Sequence, residues 1–145
     1  MTTQRFYSES DVVAIGRGMS GQTLPKSEWT HAAHFAVAVW LIRTLPEGAP
    51  ERDMPDMIRA YNLSVGGENT DTAGYHETIT QASLHVVRKV LSTLRATAPL
   101  DLATNAVLDA GYADKDWLLK HWRKETLFSV KARREWVAPD LAPLP

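Results

Sequence analysis

Residues 69–80 read N-T-D-T-A-G-Y-H-E-T-I-T, and the interpretation of that run decides the fold. Asn69, Thr70, Asp71 and Thr72 are turn and cap formers, residues that bond their own backbone and favour helix starts. From Tyr75 onward the pattern changes to helical period. His76, Ile79 and Thr80, Leu84, Val87, Leu91 and Leu94 form one inward line, with Gln81, His85, Arg88 and Ser92 on the opposite, solvated face. The spacing predicts a helix over 75–98, broken by Pro99.

Working upstream, Asp53, Pro55 and the spacing of Met54, Met57, Ile58 and Tyr61 predict a helix over 53–65, closed by Gly66 and Gly67. A further helix is expected from Pro25 or Ser27 to Leu45. Its stripe is Phe35, Ala38, Leu41, Ile42 and Leu45, which meets His34 and His31 when stepped back by three and four. Pro46 and Gly48 stop it. Residues 8–19 form a shorter helix, with Ser8 or Ser10 as cap and Glu9 and Asp11 at the positive end of its dipole.

Downstream, helices are expected over 102–110, 115–125 and 130–136, capped by Asp101, Asp114 and Ser129. The proline-rich tail should lie extended across them. There is no period-two strand pattern and no internal repeat. The expected fold is all-α: a single-domain helical bundle over residues 1–145, with about four main helices, short C-terminal helices and an extended tail.

Composition narrows function by exclusion. The 145 residues suit one domain. With no cysteine, disulfides, thiolate metal sites and a cysteine nucleophile are excluded. A net charge of −1 gives no global attraction to nucleic acid or anionic membrane. No apolar run approaches the roughly 20 residues needed to span a bilayer, and the start of the chain lacks an apolar signal core. A cytoplasmic location is the expectation.

His31 and His34 stand one helical turn apart on one face, and His76 heads the inward line of the next long helix. Two helices can bring three imidazoles to one centre in this way, and imidazole binds Zn, Fe, Ni or Cu. Burial and a helix N-terminus both favour the neutral ring that a metal needs. The first expectation is therefore a divalent transition metal (Zn, Ni or Fe) held by His31, His34 and His76. Glu28, in an E-x-x-H pair with His31, and Glu77, beside His76, are the candidate catalytic carboxylates. Only one E-x-x-H pair occurs, whereas di-iron bundles use two. Asn69, Asp71, Tyr75 and Trp29 are the candidate substrate contacts. The same histidines also fit a polar pocket for a small ligand, or a hydrogen-bonded structural network. His121 shares a face with Leu118 and Trp122 and is expected to pack there half-buried.

Two fragments, W-T-H-A-A-H at 29–34 and N-T-D-T-A-G-Y-H-E-T-I-T at 69–80, together with L-F-S-V-K-A-R-R-E-W-V-A-P-D-L at 127–141, resemble a group of small bacterial proteins of uncharacterised function. The likeness covers roughly residues 24–141. It implies no activity, cofactor or partner.

Three functions follow, in order. The first is a metal-binding bundle, hydrolytic or oxidative if an enzyme. The second is a non-catalytic module that binds or senses a small ligand. The third is nucleic-acid binding through residues 102–124, a helix-turn-helix-like stretch continued by Lys115, Lys120, Arg123, Lys124, Lys131, Arg133 and Arg134. Trp117, Leu118 and Trp122 on the would-be reading face oppose it. A small molecule and a homodimer partner are admitted, and a membrane is not.

Overall fold

The computed structural model describes residues 7–145. Its long helices are α1 (Glu9–Ser20), α2 (His31–Thr44), α3 (Ala49–Ser64), α4 (Glu77–Leu91) and α5 (Leu100–Val107). Two short helices follow, α6 (Lys124–Leu127) and α7 (Val130–Arg134), and then an extended tail. No strand occurs among the described residues. The architecture is the all-α bundle expected from the period of the sequence.

Helix α2 is the axis of the bundle. Ala33, Phe35, Ala36, Val37, Ala38, Val39 and Leu41 are all buried, so the helix is apolar around nearly its whole circumference, as a central helix must be. Helices α1, α3, α4 and α5 pack around it. Trp40 lies flat on Gly16 of α1, where an added Cβ would sit 2.4 Å from the indole Cδ2. Each fully buried Leu, Val or Phe side chain here contributes about 1.5–3 kcal/mol through lost water contact.

Several helix starts differ from the spacing prediction. Helix α2 begins at His31, because Thr30 is extended and its hydroxyl accepts the Ala33 N–H (3.2 Å). The residues before it form a 3-10 turn, Lys26–Glu28. Helix α3 begins four residues early, at Ala49, because Gly48 takes the left-handed conformation (φ +82°) and Pro50 suits a first turn. Helix α4 begins at Glu77, not Tyr75, and ends at Leu91, not Ala98. Beyond it, Arg43 of α2 collects the carbonyls of Arg95, Ala96 and Ala98 (3.4, 2.9 and 2.8 Å) and fixes the turn into α5.

Residues 115–125 are not one helix. A 3-10 turn, Lys115–Lys120, is followed by a break at His121–Arg123. The tail imposes that break. Leu141 N–H and Ala142 N–H donate to the His121 carbonyl, Trp122 Nε1 donates to Val137 O (2.9 Å), and Asp140 accepts from Arg123 N–H (2.8 Å). His121 itself is half-buried, its Nδ1 bonded to the carbonyls of Ala142 and Pro143 (3.1 Å each). The prolines do form the expected strap, and it fastens the segment it crosses.

Candidate ligand cavity

A cavity of about 740 Å³ opens between α2, α3, α4 and residues 115–128. His31, His34 and Phe35 come from α2, Met54 and Ile58 from α3, and Ile79, Thr80 and Ser83 from α4. Residues 118, 119, 127 and 128 (Leu118, Leu119, Leu127, Phe128) close the far side. Its size and mainly apolar wall with a few polar groups match a small-molecule pocket.

Each histidine is set by a backbone carbonyl, and a carbonyl can only accept. His31 Nε2–H therefore donates to Tyr112 O (2.8 Å), which leaves Nδ1 as the lone-pair nitrogen of the neutral ring. That carbonyl is available because α5 ends in a π turn, Leu108–Tyr112, with Gly111 at φ +109°, where regular pairing stops. His34 Nδ1–H donates to Thr30 O (2.7 Å), leaving its Nε2 unprotonated. The half-buried His34 ring stacks on Trp29 at 3.7 Å. Burial pushes its pKa down to about 4, and nearby His31 adds to that, against the raising effect of the Thr30 bond.

His76 is different in kind. It is the N-cap of α4, extended at φ −134°, and its Nδ1 accepts the Ile79 N–H (3.1 Å). Its Nε2–H donates to Leu127 O (2.7 Å). Both ring nitrogens are occupied and the side chain is buried. Burial holds its pKa low, opposed by the Leu127 bond. The expected three-imidazole centre therefore does not form: His31 and His34 share a cavity, while His76 closes a helix end. Among the described residues no three His, Asp or Glu side chains are grouped to hold a metal.

The candidate carboxylates lie off the cavity wall. Glu28 is exposed on the 3-10 turn before α2. Glu77 accepts a short hydrogen bond from the Tyr75 hydroxyl. Tyr75 is buried, with the Arg59 guanidinium 4.3 Å over its ring, and burial followed by the Glu77 bond raises its pKa.

The other substrate candidates build the 69–76 connection. Asn69 Oδ1 accepts from Tyr75 N–H (3.1 Å) and Asn62 Nδ2 (3.0 Å), and Asn69 Nδ2 donates to Arg59 O (3.0 Å). Asp71 pairs with Arg134 through both oxygens (2.7 Å each). Arg133 donates to the carbonyls of Gly74 and Tyr75. Gly74 sits at φ +85°, and a Cβ there would fall 1.9 Å from Glu68 O. Trp29 braces His34 and faces a smaller hollow of about 390 Å³ beside Asn62 and Val65.

Sequence reasoning missed the apolar wall. Met54 and Ile58 stand at helical spacing in the sequence and Thr80 lies on the inward line of α4, and all three line the cavity. The useful signal was Thr80 and Ser83, two hydroxyls on the core-facing part of α4. The basic run of the third expectation is partly engaged. Arg133 and Arg134 hold the 69–76 connection, and Trp117 and Trp122 are buried, as their apolar character implied. No helix among the described residues is long and apolar enough to cross a membrane. The chain matches no family model, no curated protein and no solved structure.

Proposed function

We propose that the protein binds a small, largely apolar molecule in the cavity beside His31 and His34. One observation carries this: a space of about 740 Å³ with an apolar wall, on which two imidazoles each keep an unbonded nitrogen. Binding, rather than catalysis, is the function supported, because Glu28 and Glu77 stand off that wall.

Uptake of the neutral polarity-sensitive dye Nile red tests it. Wild-type protein should take up about one dye per chain with a blue-shifted emission. Ser83→Trp, which projects an indole from α4 into the space, should abolish uptake with the helical circular-dichroism spectrum retained. Unchanged uptake in that variant overturns the proposal.

A metal reading retains one supporting observation. Each imidazole gives its second N–H to a backbone carbonyl, the arrangement that orients metal-bound histidines. Two protein ligands would bind Zn, Ni or Fe weakly, the metal's remaining positions being left to water or ligand. Elemental analysis after exposure to Zn2+ checks this: stoichiometric zinc lost in His31→Leu supports it, and zinc-free protein removes it.

A further inference from the structure

The polar groups on the cavity's inner wall have one feature in common. His31 Nε2–H and His34 Nδ1–H are given to carbonyls, so Nδ1 of one and Nε2 of the other remain as acceptors. Thr80 Oγ1 donates its hydrogen to His76 O (2.9 Å), and Ser83 Oγ donates to Ile79 O (2.7 Å). All four side chains therefore offer lone pairs, and none offers a hydrogen. Among the described residues, the other ionic side chains on the wall are Lys115, Asp116 and Lys124, all exposed at its mouth.

We infer that the cavity selects a neutral, apolar molecule that carries hydroxyl donors, of which a phenol is the plainest case. The inference rests on the cavity being a ligand site. An anionic head placed against these four side chains would meet only lone pairs. A cation would pass two lysines against one aspartate and then lose its water in an apolar space. A neutral hydroxyl meets acceptors and carries a small desolvation cost. The Phe35 ring, set edge-on to His31 at 5.2 Å, and Phe128 favour an aromatic body.

The test is calorimetric titration at pH 7.5 with three probes on one ring system: 2-naphthol, 2-methoxynaphthalene and 2-naphthoate. The naphthol should bind roughly three- to tenfold more tightly than its methyl ether, the ratio expected for one hydrogen bond. Naphthoate should bind more weakly than either. In His34→Leu and His31→Leu the preference for naphthol over ether should fall toward one while the ether still binds. This comparison already works on the wild-type protein, so it does not depend on those variants folding. Equal affinity for naphthol and ether overturns the donor selection and leaves the cavity proposal standing. Binding of none of the three, with Nile red also excluded, removes both. Tighter binding of naphthoate, or naphthol binding that requires added Zn2+, also overturns the inference.

Discussion

The start of α2 and the start of α4 look alike in sequence, each with a histidine within two residues of a threonine at the head of an inward apolar line. They do opposite things. At α2 the cap is Thr30, so His31 and His34 fall inside the helix and each retains one open nitrogen. At α4 the cap is His76 itself, and both its nitrogens are occupied by backbone. A buried histidine's capacity to act on a ligand depends on the valences its own fold leaves over. Moving the helix boundary by one residue decides that.

The sharpest way to break the comparison is at the connection that delivers His76. Gly74→Ala forces a Cβ against Glu68 O in a left-handed backbone. It should cost about 3 kcal/mol or more, read as a lower urea midpoint at unchanged slope. His76→Ala comes next, removing a cap and leaving the Leu127 carbonyl without its donor. A loss of about 2–4 kcal/mol is expected, of which His76→Asn should restore about 1 kcal/mol because asparagine caps well. If His76→Ala instead abolishes ligand uptake at full stability, the division between the two helix starts is wrong.

Acidification gives a smaller effect. His34 and His76 have folded pKa values below the ordinary imidazole value of 6.5, so the unfolded chain binds more protons in the window between. Their contribution is complete above pH 6.5 and is lost as pH falls from there toward about 4, the value for His34. Between pH 7.5 and 4.5 the His34 loss should be about 1–2 kcal/mol, reduced from the full linkage value because the side chain is half-buried, and His76 adds in the same direction. The slope in unfolding free energy against pH should flatten in His34→Phe. Least of all, Asp71→Asn breaks an exposed pair with Arg134 and should cost under about 1 kcal/mol. It should leave Nile red and naphthol binding unchanged; a loss of binding would return Asp71 to the ligand site.

Much of the fold was legible because helical period is a local property. The stripe from Phe35 to Leu45 gave α2, and the spacing of Met54, Ile58 and Tyr61 gave α3. The class of the fold and its central helix followed. Residues 115–125 misled because their helical spacing is real but overruled: Val137, Asp140, Leu141 and Ala142 take the hydrogen-bonding groups of residues 121–123. No local pattern reports partners that arrive fifteen or more residues later.

The site was half legible. His31 and His34 do share one face and one cavity. His76 was misplaced because histidine is an uncommon cap, and its inward position suited a ligand equally well. The cluster Asn69, Thr70, Asp71 and Thr72 gave a true turn signal, visible in Thr70 Oγ1 accepting from Thr72 N–H and Ala73 N–H. Its ties to Arg59 and Arg134 were not visible. Glu77 became bound to Tyr75 by a contact two residues away that spacing alone did not single out.

The head of α4 has a consequence for the order in which the molecule assembles. Its fastenings come from 51 to 63 residues further along: Leu127 O to His76, Glu135 O to Thr78, Arg133 to the Gly74 and Tyr75 carbonyls, and Arg134 to Asp71. Helices α1 to α3 can collapse around Trp40 and Phe35 before those partners exist on a growing chain. The first turn of α4 has its own local bonds, Ile79 N–H to His76 Nδ1 and Thr80 N–H to His76 O, but it is not fastened to the bundle until they do, since distant contacts form only after the intervening loop has been gathered. In pulsed hydrogen-exchange refolding, the amides of residues 78–80 should therefore gain protection after those of 36–42.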